Sequence, residues 1–291
     1  MTRGMNRAAE LIDYLSRASD CDVLVVAPMA PPVDRNAQGL RVALTKVFDA
    51  ADVGDTLTNL RSRAAGGDNP ATDPSGTFSF GLKDVGRFRV SYMTQRGSKV
   101  VSITRVPMAL SRIETLCDSA DRIEKVVSIL RHPGGGGLAI SGPNTVKNSA
   151  FAYALLQRIN KAERRIIYCL ERSLTFLMHH DNSIVIQSEL GVDVPSIELG
   201  IRSGLQFSPD IMFVGDVRTA AEMASIAQAM QAGVFTVFAA AAATAESLLH
   251  LFSRAKGGLF ARVAPMLKGV VHVTPLAQGK VAIEFSEKLE S

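Results

Sequence analysis

Gly142, Asn144, Thr145, Lys147, Asn148 and Ser149 are the residues whose types and spacing point most directly to chemistry. They lie in GGGGLAISGPNTVKNSAFAYALLQRIN (residues 134–160). In it a glycine-rich lead, an apolar strand at 138–140, a turn opening at Gly142 and a helix with Phe151, Leu155 and Ile159 on its apolar face follow in order. Strand, turn and helix in that order is the frame of a phosphate-binding loop, which needs Gly, four residues, then Gly-Lys-Ser/Thr. Read from Gly142, the sequence supplies Pro143, Asn144, Thr145 and Val146, then Lys147, Asn148 and Ser149. The frame is present and its anion chemistry is altered. Backbone N–H groups wrap a phosphate where residues reach positive φ at little cost, as Gly does and β-branched Val or Thr does not. Lys147 stands one position early, and one residue is about 100° around a helix, so its ammonium leaves the line to a bound phosphate. Ser149 keeps the place of a Mg²⁺ ligand. From this segment alone two readings stand, an ordinary strand–turn–helix and a nucleotide loop.

The elements that must position these residues are legible on both sides. An amphipathic helix opens the chain, followed by a strand at 23–26, a turn rich in Pro, and a helical pattern with Leu40, Val42, Leu44 and Val47 on its apolar side. Residues 61–76 read as an exposed loop from their Gly, Pro, Asp and Ser content. Strands at 77–82, 87–93 and 100–106 alternate apolar and polar, with Phe88, Val90 and Tyr92 opposite Arg87, Arg89 and Ser91, which predicts an antiparallel sheet with one buried face. A helical segment at 113–130 leads to the glycine run. Beyond it, apolar strands at 138–140, 166–170, 184–186, 211–214 and 234–238 alternate with helices, the pattern of a mostly parallel sheet covered on both faces. Thr219 and Glu222 have the spacing of a capping box, and Gly233 stands where that helix should stop. The expected fold class is α/β, with an α+β domain over 1–133 and a parallel-sheet domain over 134–291.

At 291 residues the chain is long enough for two domains. A net charge of +4, 6% aromatic residues and no Trp argue against nucleic acid as a partner. Three cysteines without CxxC spacing predict a reducing compartment, Cys169 lying in an apolar strand. The N-terminus lacks the apolar centre of a signal peptide, and the longest apolar run, 233–243, falls short of the ~20 residues that span a membrane. The expected location is cytoplasmic, without membrane insertion. His179, His180 and Asp181 have no third ligand at metal-site spacing and read as a surface turn.

Several segments together resemble the hexameric secretion and type IV pilus ATPases, closest to the pilus-retraction (PilT-like) branch. GTFSFGLKDVGRFRVSYMTQRGSKVVSITRVP (76–107) is the most specific match. Ala18-Ser19-Asp20 with the strand after it, SPDIMFVGDVR (208–218) as the Walker B strand, and MLKGVV (266–271) fall in the family's order. The resemblance implies a PAS-like N-terminal domain, a RecA-like P-loop domain, ATP and Mg²⁺ as cofactors, and assembly as a homohexamer or a mixed ring with an active paralogue. It also implies work against the inner-membrane platform protein of a pilus or secretion system, peripheral at the inner-membrane face. The family continues with a further helical region, and this sequence ends at Ser291, which on the resemblance favours a non-motor role.

Carried over one residue at a time, the resemblance places the phosphate-binding lysine at Asn148 and the last two Walker A glycines at Thr145 and Lys147. The acidic box becomes Leu170-Glu171-Arg172-Ser173-Leu174-Thr175, with Glu171 kept and Arg172 in place of Asp. The Walker B carboxylate is Asp216, one methylene shorter than the usual Glu, and Ala241 stands where the histidine box has His. Arg87, Arg89, Arg96 and Arg105 sit where the family offers arginines to a neighbouring subunit's nucleotide. Phosphoryl transfer depends on positioned polar groups, and one lost donor costs ~10² to 10³ in rate. Three functions remain open: a degenerate subunit that interacts or regulates without hydrolysis; an active ATPase using Lys147, Ser149, Glu171 and Asp216; and a switch that binds ATP without turnover.

Overall fold

A computed structural model describes residues 3–18, 21–36, 38–64, 66–107, 110–117, 119–131, 135–248, 263–277 and 280–286. Ser19, Asp20 and Gly134, used in the sequence reading, lie outside the described residues. The chain divides into two compact units, residues 1–107 with 191–193, and residues 108–190 with 194–291.

The first unit carries α1 (Arg3–Arg17), β1 (Val23–Val26), β2 (Val33–Asn36), β3 (Gly39–Val42), α2 (Ala50–Arg61), β4 (Ser75–Leu82), β5 (Gly86–Gln95) and β6 (Ser98–Val106). Its strands form one antiparallel sheet in the order β3-β2-β1-β6-β5-β4. The alternation read from the sequence holds: Phe88, Val90 and Tyr92 are buried in one cluster with Leu11 and Leu15 of α1 and Val53, Leu57 and Leu60 of α2. The helix expected around Leu40 to Val47 is instead the edge strand β3. Leu40 and Val42 are two residues apart, the period of a strand, and both are more than half exposed. The helix lies just after, at α2, where Asp49 accepts from Asp52 N and the Asp52 side chain accepts from Asp49 N, a closed capping box.

The second unit carries α3 (Ile113–Leu116), α4 (Ala120–Leu130), β7 (Gly136–Gly142), α5 (Thr145–Ala162), β8 (Ile166–Glu171), β9 (Ile184–Glu189), α6 (Ile197–Leu205), β10 (Ile211–Val214), α7 (Ala220–Gln231), β11 (Phe235–Ala241), β12 (Leu267–Pro275) and β13 (Val281–Ser286). Its seven strands lie in the order β13-β12-β7-β11-β10-β8-β9, all parallel except β13. Successive residues of a strand serve opposite layers: Ile211 and Phe213 join the cluster that holds α3, α4 and α5, while Met212 and Val214 join the one that holds α6 and α7. The change of domain expected at Gly134 therefore comes earlier. The segment expected as one helix over 113–130 is two, α3 and α4. Their apolar residues Ile113, Leu116, Ile123, Val126 and Leu130 bury against the parallel sheet. Gly233 ends α7 with φ at +89°, a conformation that costs Gly little. No helix among the described residues is long and apolar enough to cross a membrane.

Candidate functional site

In open parallel sheets ligands collect at the carboxyl ends of the strands, and here the ends of β7, β8 and β10 carry most of the expected site. β7 runs through to Gly142 and α5 begins at Thr145, so the connection is only Pro143 and Asn144. Asn144 is the N-cap, its side chain accepting from Lys147 N at 3.0 Å. Asn148 N already donates to Asn144 O at 3.0 Å. The backbone that would wrap a phosphate is thus wound into the first turn of the helix.

Asn148, at the position of the family's lysine, is fully buried. Its Nδ2 donates to Gly142 O at 3.0 Å and to Ala240 O at 3.3 Å, tying α5 to the ends of β7 and β11. Its Oδ1 accepts no hydrogen bond and occupies the space into which a side chain at residue 142 would project. A Cβ at residue 142 would lie 2.4 Å from that oxygen and 2.4 Å from Val273 O, so only glycine fits. These residues do not fit a triphosphate: the connection holds two residues, and the side chain that should reach out points in.

Ser149 and Glu171, expected to serve Mg²⁺ and catalysis, are brought together. Glu171 is buried and accepts from Ser149 Oγ at 2.6 Å, Tyr153 OH at 2.9 Å, Thr175 N at 2.9 Å and Thr175 Oγ1 at 3.2 Å. The Ser149 hydroxyl is spent on this carboxylate. Burial pushes the Glu171 carboxyl above its ordinary value near 4.5, and the donors from Ser149, Thr175 and Tyr153 oppose it in part. Tyr153 is pushed well up by its own burial and by Glu171. Because the folded chain holds the Glu171 proton more tightly than the unfolded chain, this group's contribution is present below pH 4.5 and lost as pH rises through the raised folded value. Glu171→Gln should therefore gain stability relative to the parent as pH rises from about 4 to about 7, read from urea midpoints. A difference that does not change with pH would contradict it.

Asp216 follows β10 with φ at +53°. Its carboxylate pairs with Arg218, and its carbonyl accepts from Arg172 Nε at 3.1 Å. Arg172 also pairs with Glu222, whose Oε2 accepts from Arg218 N at 2.8 Å and Thr219 N at 3.1 Å, closing the capping box of α7. The arginine that replaces the acidic-box Asp is thus built into a network of its own. Ala241, at the histidine-box position, is the last residue of β11.

In the first unit Arg87 and Arg89 alternate with the buried Phe88 and Val90, and Arg96 is exposed in the two-residue turn between β5 and β6 with φ at +50°. Arg105 differs. Its guanidinium donates to Val85 O and Ala18 O at 3.2 Å each and to Leu15 O, and stacks 4.8 Å from the Phe88 ring centre. It closes the end of α1, so we count it with the fold rather than with residues offered to another chain. Sequence reasoning missed Tyr153 and Thr175 as partners of Glu171. Tyr153 lies four residues after Ser149 on the same helix face, a signal that was available.

Residues 75–268 match the model of the family described as Type II/IV secretion system protein. The type IV pilus ATPase PilU of Pseudomonas aeruginosa is 30% identical over 146 residues, 49% of this chain and 36% of that protein. The type IV pilus retraction ATPase PilT of the same species is 29% identical over 48% of this chain and 40% of its own length. The matched stretch is thus well under half of either relative. Among solved structures, the pilus retraction motor PilT with bound ADP superposes with a TM-score of 0.81 at 20% identity, covering 97% of this chain and 83% of that one. The Legionella pneumophila ATPase DotB gives 0.68 at 15% identity, over 97% and 79%. At these identities the two structures speak to the fold.

Proposed function

The chain belongs to the type II/IV secretion system protein family and resembles its PilT-like branch, and from that premise we propose that it is a member that does not hydrolyse ATP. In this reading it is an interaction or regulatory subunit of a pilus or secretion motor. The observation that supports it is the two-residue connection between β7 and α5, with Asn148 turned inward. The remaining polar groups are consistent with it: Ser149 and Glu171 satisfy each other, and Asp216 is held by Arg218. Polar groups committed to one another are not preorganised for charge developing on a transferred phosphoryl group.

The subunit would pack into a homohexamer or a mixed ring with an active paralogue, at the cytoplasmic face of the inner membrane, against the platform protein of its machine. Arg87, Arg89 and Arg96 are the arginines it would offer a neighbour's nucleotide. Phosphate release from Mg-ATP by the purified chain tests the proposal. No release above a protein-free background is expected.

A further inference from the structure

Ser149, Glu171, Asp216 and Glu222 bring oxygen-bearing side chains to the carboxyl ends of β8 and β10, and oxygen is what Mg²⁺ takes as ligand. They do not fit the ion. Mg²⁺ demands octahedral geometry and keeps several of its waters, whereas Ser149 and Glu171 are 3% and 2% exposed. A carboxylate offers about four acceptor positions, and the donors to Glu171 fill them, two on each oxygen. The other two carboxylates already meet a cation. Arg172, the residue after β8, pairs with Glu222 and lies 3.9 Å from Asp216 Oδ2, so one guanidinium serves both.

We infer that the Arg172 guanidinium is a built-in counter-ion in the place where a divalent metal would bridge Asp216 and Glu222, and that it makes this end of the sheet indifferent to Mg²⁺ and Mn²⁺. The charges argue for it. Arg172 and Arg218 bring two positive charges to the two negative charges of Asp216 and Glu222, and a carboxylate as buried as that of Glu222 needs such pairing. The geometry argues in the same sense. Arg172 Nε also donates to Asp216 O at 3.1 Å, in the turn after β10 where Asp216 holds a positive φ that costs a residue with a side chain. Glu222 Oε2 accepts from Arg218 N and Thr219 N of the same turn. Gly215 N donates to Leu170 O at 2.9 Å and Val217 N to Ala239 O at 2.8 Å. The turn is thus held by the chain's own cation and backbone. A chain can hold Mg²⁺ without turnover, so this inference goes beyond the absence of hydrolysis and does not rest on it.

Calorimetric titration of the full chain with MnCl₂, without nucleotide, is the test, run beside thermal unfolding with and without about 10 mM Mn²⁺. No saturable heat and an unmoved melting temperature are expected of the parent. Arg172→Met leaves Asp216 and Glu222 without their shared cation, so it should bind Mn²⁺ saturably and gain about 2 °C or more from it. Glu222→Gln added to Arg172→Met should abolish that gain. Arg172→Lys keeps the charge without the planar fork, and should stay indifferent to the metal although less stable than the parent. Far-ultraviolet circular dichroism checks that each variant is folded, and Arg172→Gln replaces Arg172→Met if the latter is not. Saturable Mn²⁺ binding by the parent that Asp216→Asn removes would overturn the proposal. So would a folded Arg172→Met or Arg172→Gln variant as indifferent to Mn²⁺ as the parent. With no nucleotide present, phosphate release from Mg-ATP would overturn the absence of hydrolysis and leave this result standing.

Discussion

Asn148→Lys, which restores the phosphate-loop lysine, lowers the stability of the folded chain by about 3–5 kcal/mol and brings no activity. Three effects act in the same direction. The site is fully buried, so the new ammonium must leave water among backbone carbonyls, with no carboxylate bonded to the residue it replaces. The two hydrogen bonds from Nδ2 that tie α5 to Gly142 and Ala240 lose their geometry. The longer side chain also overfills a position where the existing Oδ1 already takes the space that only a glycine at 142 leaves open. Urea unfolding followed by far-ultraviolet circular dichroism measures the change. A variant as stable as the parent would mean that the lysine finds its way to solvent, as in a working loop, and would contradict the inward-pointing site.

Arg172→Asp, which restores the acidic-box residue, costs about 2–4 kcal/mol. It removes the partner of Glu222, which is 6% exposed, and the donor to Asp216 O, and it sets three carboxylates together at residues 172, 216 and 222. The figure sits below that for a fully buried pair because Arg172 is partly exposed and Arg218 still neutralises Asp216. Arg172→Met keeps most of the packing without the repulsion and should cost less. Raising the salt concentration should recover part of the Asp variant's loss and little of the Met variant's. Equal losses in the two variants, unmoved by salt, would show that the network contributes only packing.

Both substitutions return a family residue and both are expected to harm the protein. The replaced positions have acquired partners that fit the present residues: Asn148 with Gly142 and Ala240, Arg172 with Glu222 and Asp216. A vestigial loop that had only drifted would tolerate the family residue at each place.

Much of the frame was legible because it rests on local signals. The apolar runs of β8 and β10, the alternation along β5 and the Thr219–Glu222 capping box all appear where the sequence puts them. The sequence reading set no start for α5, because it took Asn144 as a loop position in a phosphate pattern, although Asn is also a strong N-cap. The hydrogen bond it makes to Lys147 N decides between the two. Leu40 and Val42 were put on a helix despite a spacing of two, while Asp49 and Asp52 marked the true helix start. The Arg172–Glu222 pair spans 50 residues of sequence and has no local signature. The burial of Glu171 depends equally on the sheet order and on Tyr153 arriving from α5, which only the folded chain reveals.

The measurement that bears most directly on the central claim is steady-state phosphate release from Mg-ATP by the purified chain at saturating nucleotide. The account predicts no release above the protein-free background. Turnover at ~1 s⁻¹ or faster, the ordinary range of enzymes, that disappears in Lys147→Ala would contradict it, because the first turn of α5 would then have to open and hold a triphosphate.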